Sequence, residues 1–247
     1  MATTGDVKQA LREEVWDALR ADGVARFPGA RGRIPNFTGA EAAAQRLASS
    51  ARWHDAAAVK ANPDSPQWPV RQRALEAGKT VFMAVPRLRE EHPFVRLDPA
   101  VLEVTPRAAS SIKGSSQHGA PTAVDDLEAV DVVVVGCVAA DRSGARLGKG
   151  GGFADVEFAL ASAAGLIGPD TWVVTTVHPL QVVDDGRIPM TAHDVPLDAL
   201  VTPDEIVACH GGRARPHGVL WDHLPADKIA QIPLLRRLHA TMGGGDV

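Results

Sequence analysis

The chain has 247 residues, 45% of them hydrophobic, and a formal net charge of −4. That length and apolar content describe an ordinary globular chain of one domain, with room at most for a small appendage, and the acidic balance argues against a general nucleic-acid binder. Two cysteines, Cys137 and Cys209, make no disulfide framework, the N-terminus lacks a basic start and an apolar leader core, and no apolar run can span a membrane, so a reducing cytoplasm is expected.

The first helix is expected from Asp6, because Asp6 and Gln9 match a capping box and Val7, Leu11, Val15, Ala18 and Leu19 form one apolar stripe. Lys8 and Arg12 share a face beside that stripe, a pairing that suits a phosphate chain but by itself reads first as a solvated helix edge. Residues 27–37, with Pro28, Gly29, Gly32 and Pro35, read as a loop. Thr38 and Glu41 predict a second capping box, opening an alanine-rich helix towards Leu47. Trp53 to Val59 reads as an extended buried segment and Asn62 to Pro66 as a turn fixed by prolines. Val70, Ala74 and Leu75 then predict a helix ended by Gly78, and Val81 to Val85 a short buried strand stopped by Pro86. The polar stretch 107–125 predicts a long loop, either a lid or a mobile insertion, with Lys113 and His118 solvated.

Val132 to Val135 is the clearest buried strand, with Cys137 a small core residue beyond it. Further on, Phe153, Val156, Ala159, Leu160 and Ala163 repeat at helical spacing. Between them lies Arg146-Leu147-Gly148-Lys149-Gly150-Gly151-Gly152-Phe153-Ala154-Asp155, read as a strand-to-helix turn. Free backbone N–H groups and the helix dipole favour an anion there, and the glycines let a backbone approach a ligand without Cβ clashes. Glycines alone fit a flexible connection as well as a phosphate cradle. Flanking Arg146, Lys149 and Asp155 favour the cradle, and suit a nucleotide polyphosphate held with Mg²⁺. The pattern is neither a P-loop, since Gly150 follows Gly148-Lys149, nor the dinucleotide fingerprint, since Gly148, Gly150 and Gly152 alternate strictly.

Trp172 to Val177 is another strand, closed by His178-Pro179, and Gln181 to Val183 leads into a turn at 184–186. A tail from about residue 210 ends in Ile229, Ile232, Leu234, Leu235 and Leu238, predicting a short terminal helix packed on the body of a single domain spanning 1–247. Alternating strands and helices argue for an α/β fold: a mainly parallel sheet with helices on both faces. In such folds ligands sit beyond the strand carboxyl ends, where the glycine segment, the Asn62-to-Pro66 turn and the Pro86-Arg87 turn all fall. The nine histidines show no zinc-ligand spacing, His210, His217 and His223 read as solvated, and no nucleophile triad is visible.

The glycine segment resembles the signature of the 5-formyltetrahydrofolate cyclo-ligase family, the methenyltetrahydrofolate synthetases. With Lys149 and Phe153-Ala154-Asp155-Val156-Glu157 it is closest to the branch called methenyltetrahydrofolate synthetase domain-containing proteins. Arg33-Ile34-Pro35-Asn36-Phe37, Val59-Lys60-Ala61-Asn62-Pro63-Asp64, Val85-Pro86-Arg87-Leu88 and His193-Asp194-Val195-Pro196-Leu197-Asp198 agree with that branch, so the likeness covers nearly the whole chain. It implies a three-layer, cyclo-ligase-like fold of the NagB/RpiA/CoA-transferase-like class. It also implies cyclisation of 5-formyltetrahydrofolate to 5,10-methenyltetrahydrofolate, with ATP phosphorylating the formyl oxygen, by a monomer or homodimer acting on a small molecule. By motif match it assigns ATP contacts to Lys8, Arg12, Arg146, Gly148, Lys149, Gly150, Gly151, Gly152 and Phe153, with Arg146 and Lys149 catalytic. Asp64 and Phe153 fall to the acceptor, and Asp155 and Asp194 to Mg²⁺, an ion satisfied by one or two carboxylates plus phosphate and water.

Three positions depart from the family. Its usual paired tyrosines are Phe153 and Ala154, the arginine after the aspartate is Val156, and the acidic motif of the early turn is Asp64-Ser65-Pro66. Nucleotide groups are thus better kept than folate groups. That leaves two other readings: a paralogue using ATP on a non-folate, possibly thiamin-related acceptor, and a nucleotide-binding regulatory protein without turnover.

Overall fold

Val132, Val133 and Val134 are apolar in succession because their strand is covered on both faces. The computed structural model describes residues 2–243. Helix α1 (Thr4–Ala21) is followed by strands β1 (Ala25–Arg26) and β2 (Asn36–Phe37), helices α2 (Ala40–Ala48) and α3 (Ala51–Asp55), and strand β3 (Ala58–Ala61). Next come α4 (Trp68–Glu76), β4 (Thr80–Ala84), β5 (Phe94–Leu97), α5 (Pro106–Ala109), α6 (Ile112–His118), β6 (Ala120–Thr122) and β7 (Val132–Val134). The chain continues through β8 (Ala139–Asp141), β9 (Arg146–Leu147), α7 (Phe153–Ala163), β10 (Trp172–Thr176) and β11 (Val182–Val183). It closes with β12 (Ala199–Val201), β13 (Ile206–Ala208), α8 (Ala226–Gln231) and α9 (Pro233–Gly243).

Among the described residues the main sheet runs β13-β12-β10-β7-β3-β4-β5-β6. Strands β12, β10, β7, β3 and β4 are parallel, while β13, β5 and β6 continue the edges antiparallel. Alternate residues point to opposite layers. Val132, Val134 and Val174 pack with Leu47 of α2, Trp53 of α3 and Leu75 of α4, whereas Val133, Val135 and Val173 pack with Phe158 of α7. This is the expected three-layer α/β arrangement. A smaller sheet, β11-β8-β9, carries α1, whose Leu11, Val15, Trp16 and Leu19 bury against Val138, Ala139 and Leu147. Each such side chain contributes about 1.5–3 kcal/mol by leaving water. No described helix is long and apolar enough to cross a membrane.

Several local expectations are corrected. Helix α1 is capped by Thr3, not Asp6: the Thr3 hydroxyl accepts the Asp6 N–H at 3.1 Å and Asp6 Oδ2 accepts the Thr3 N–H at 2.8 Å, leaving Val7 exposed and Trp16 buried. No capping box opens α2, because the Thr38 hydroxyl donates instead to the Val24 carbonyl, and the helix begins after Gly39. Trp53 is helical rather than extended, since Ser50 caps a helical turn that swings the indole into the core. The stretch 107–125 is largely structured: Thr105 and Ser111 cap α5 and α6, so its polar residues end helices rather than fill a loop. Arg146 and Leu147 form a strand of the small sheet, so the glycine segment enters α7 from that sheet and not directly from β7.

Strand order places the functional region. The chain passes from β3 through α4 to β4 on one side, while β7 lies on the other side of β3. A crevice opens beyond the carboxyl ends of β3 and β7, where crossovers diverge, and ligands of open α/β sheets bind at such a switch point.

Candidate active site

The crevice between β3 and β7 is a cleft of about 1040 Å³. Its floor is set by Asn62, just past β3, and Gly136, just past β7. The Gly136 N–H donates to Asn62 Oδ1 at 2.9 Å, and a Cβ at Gly136 would lie only 2.9 Å from Ile34 and 3.1 Å from the Gln67 amide oxygen. Any larger residue would fill the floor.

Arg146 rises from β9 into this floor, 2% exposed. Its Nη1 donates to the Gly136 carbonyl at 3.3 Å, its Nε to the Val195 carbonyl at 3.4 Å, and its Nη2 to Asp155 Oδ1. Burial alone would weaken its charge; Asp155, with smaller contributions from Cys137 and then Asp194, more than offsets that and holds the guanidinium above its usual range. Asp155 sits in the first turn of α7, where the helix dipole favours a carboxylate, and Gly152 caps that helix with φ +65°, a conformation L side chains resist. Asp155 Oδ1 also accepts the Val195 N–H at 3.1 Å, which ties the 191–195 segment to the glycine segment. Asp194 completes that link: its Oδ2 accepts from Lys8 Nζ, the Thr191 N–H and the Thr191 hydroxyl, all at 2.7 Å. Burial pushes the Asp194 carboxyl up, but those donors outweigh it and hold the group below the usual carboxylate range. In both aspartates one oxygen carries every described bond. Asp155 Oδ2 and Asp194 Oδ1 are left, a pair of hard donors of the kind Mg²⁺ takes. No group of three or more His, Cys, Asp or Glu side chains placed to hold a metal ion occurs among the described residues.

Gly148, Lys149, Gly151, Gly152, Phe153, Asp64, Arg146 and Asp155 line the cleft. Lys8, Arg12, Gly150 and Asp194 do not: Lys8 bonds Asp194, and Asp194 joins the site through its neighbour Val195, which bonds Arg146 and Asp155. Arg12, 9% exposed, donates from Nε to the Gly148 carbonyl at 2.7 Å. Lys149 Nζ reaches Asp64 Oδ1 at 3.0 Å across the mouth.

The sequence reading missed a layer below. Lys60 on β3 and Asn62 both donate to Glu157 Oε2, at 2.8 and 2.6 Å, and Glu157 lines the cleft. Burial raises the Glu157 pKa, with Lys60 opposing. Arg71 of α4, wholly buried and pulled down to about 9 by burial, still a cation near neutrality, donates to the carbonyls of Asn62, Asp64 and Ser110 and fixes the 62–64 turn. The signal was a charged residue inside each apolar pattern: Lys60 within a strand, Glu157 between Val156 and Phe158. Gln67 is fully buried with neither amide atom bonded. Burial pushes the Cys137 thiol up to about 11 and the Cys209 thiol up to about 12, so both favour the neutral thiol near neutrality.

The sequence model of the 5-formyltetrahydrofolate cyclo-ligase family matches residues 4–203. A mouse methenyltetrahydrofolate synthase domain-containing protein is 37% identical over 238 residues, covering 95% of this chain and 63% of that protein. A zebrafish protein of the same description is 35% identical and is covered to 62%, so this chain spans less than two thirds of these relatives' length. The 5-formyltetrahydrofolate cyclo-ligase of Escherichia coli K12 is 30% identical over 141 residues, which is 56% of this chain and 71% of that enzyme. The fold is shared with the solution structure of an Aquifex aeolicus 5,10-methenyltetrahydrofolate synthetase, at TM-score 0.54 and 20% identity, over 88% of this chain and all of that one.

Proposed function

This chain belongs to the 5-formyltetrahydrofolate cyclo-ligase family, and on that premise we propose that its 247 residues act as one α/β domain that binds MgATP along the glycine segment and uses it on a small acceptor. The reaction supported best is closure of 5-formyltetrahydrofolate to 5,10-methenyltetrahydrofolate. The observation that carries this reading is the arrangement at the switch point: a glycine segment opening α7, with Arg146 and Asp155 locked beneath it.

MgATP, when bound, supplies the phosphoryl group that makes the formyl oxygen a leaving group. The chain's part is positioning and charge neutralisation, which such chemistry needs more than a protein nucleophile. The N–H groups of residues 148–153 cradle the phosphates. Asp155 and Asp194 are the residues that would hold a Mg²⁺ ion, whose charge would offset that of the phosphates. Lys149 leaves Asp64 for the phosphate, and Asp64 becomes free to accept a hydrogen bond from the acceptor, whose ring lies against Phe153. Ring closure then makes the nitrogen–carbon bond, breaks the carbon–oxygen bond and releases the nitrogen's proton together with phosphate.

A second reading, a non-folate acceptor, is favoured by Ala154 in the cleft wall, where the family's usual second tyrosine is missing. The test mixes protein, MgATP and 5-formyltetrahydrofolate and follows the near-ultraviolet absorbance of the methenyl product. ATP-dependent product that vanishes in Asp155→Asn supports the cyclo-ligase. No product while calorimetry still detects MgATP moves the acceptor elsewhere.

A further inference from the structure

Each cation the sequence places at the glycine segment already has an internal partner: Lys8 holds Asp194, Arg146 holds Asp155, Lys149 holds Asp64, and Arg12 holds the Gly148 carbonyl. One more cation arrives from a distant part of the chain. Lys228 lies on α8, beyond the span 4–203 matched by the family. The mouse relative matches 95% of this chain, which reaches into that C-terminal segment, whereas the match to the E. coli cyclo-ligase covers 56%.

The segment is firmly seated. Ile232, Leu234 and Leu235 are at most 4% exposed and bury against Val156, Leu160 and Ala161 of α7. His223 meets His193 edge-on, their Nδ1 atoms 3.3 Å apart, so the segment touches the 191–195 strap as well. On this platform Lys228 Nζ donates to the Gly151 carbonyl and stands 3.8 Å over the Phe153 ring. Neither partner is an anion. Arg87 lines the same cleft, on a backbone held left-handed at φ +61° ahead of Leu88 at φ +52°. Leu88 is fully buried, which keeps this costly conformation in place. Burial lowers the Lys228 pKa; Asp227 opposes this and Arg87 adds to it, as expected for two cations sharing one space. A half-buried ammonium in a cleft that a second cation also lines is a charge arrangement that an anion between them would relieve.

Placement decides which anion. Arg12 touches the glycine segment at its start, bonding Gly148 and lying 3.5 Å from where a Gly150 Cβ would be. Lys228 touches its end, at Gly151 and Phe153, where α7 presents its N-terminal N–H groups. We propose that Lys228 is a phosphate-contacting residue which, at the far end of the glycine segment from the one Arg12 braces, reaches the polyphosphate of a nucleoside triphosphate lying in the cleft. The ammonium exchanges the Gly151 carbonyl, a neutral acceptor, for an anionic phosphate oxygen, so that donor and acceptor are both charged. This rests on the MgATP reading above and adds to it a contact from outside the family-matched region.

The test is calorimetry on the full chain with two probes, MgATP and magnesium tripolyphosphate, for the wild type, Lys228→Met and Lys228→Arg. Methionine keeps an unbranched stem over Phe153 without the charge. The expected result is a loss of about tenfold or more for both probes in Lys228→Met and recovery to within about threefold in Lys228→Arg. Ligand-free melting temperatures should stay together. Wild-type affinity in Lys228→Met, or an arginine variant as weak as the methionine one, overturns the proposal. Loss confined to MgATP puts Lys228 at the base or ribose and overturns the phosphate assignment. A wild type that binds neither probe fails the nucleotide reading itself, and this proposal with it, before any variant is compared.

Discussion

Two ion pairs made by near neighbours, Arg146–Asp155 and Lys149–Asp64, differ in how much water reaches them. The side chains of the first are 2% and 14% exposed, those of the second 45% and 21%. Inside, attraction is poorly screened and a stranded charge is expensive; at the mouth, a pair is worth about 0–1 kcal/mol and yields to a competitor. Arg146 therefore acts as framework, gathering Gly136, Val195 and Asp155, while Lys149 is a charge on loan to Asp64. A site for a polyanion needs both kinds, because cations that were all free would repel one another before any ligand came.

The largest expected effect tests the framework class at its deepest member. Lys60 and Glu157 are 1% and 5% exposed. Glu157→Leu strands the Lys60 charge and should cost about 3–5 kcal/mol in urea unfolding, while Lys60→Met combined with Glu157→Leu should recover most of it. A double variant as unstable as the single one would show that packing, not charge, dominates there.

Asp194 comes next. Asp194→Asn weakens the hold on Lys8 and Thr191 and should cost about 2 kcal/mol. The pH dependence has a definite sign. The carboxyl is held below its ordinary 3.8 in the folded chain, so its contribution is complete above that pH and is lost as pH falls further, through the lower folded value. Stability of the wild type should fall towards that of Asp194→Asn as acid is added below about 3.8. Parallel curves would place Asp194 outside the framework.

Much of this was legible in the residues. The alternation of apolar runs gave the layers, because a parallel strand covered on both faces must be apolar throughout, as Val132 to Val135 is. The glycine segment announced itself by composition. Reading failed where a polar side chain served the backbone at a distance: Thr38 turned back to Val24, and Ser50 capped a turn that made Trp53 helical. It failed again where partners lie far apart in sequence. Lys60 and Glu157 are 97 residues apart, Lys149 and Asp64 are 85, and Lys228 and Gly151 are 77, and no local pattern announces such pairs.

The smallest effect on stability, and the sharpest on function, belongs to the mouth. Lys149→Met should change unfolding free energy by no more than about 1 kcal/mol, since the pair it breaks is exposed to water. The same variant should weaken MgATP, because the lysine, 45% exposed, is the least buried cation of the predicted set. Asp64→Asn should act in the opposite direction on the nucleotide. It removes the anion that competes with phosphate for Lys149, so MgATP binding should tighten by at most what the pair was worth, up to about fivefold. That gain should shrink in high salt, which screens the competition beforehand. Calorimetry of both variants at two salt concentrations reads all of this at once. A Lys149→Met chain destabilised as severely as the Glu157 variant would move Lys149 into the framework, and the division between fixed and lent charge would collapse.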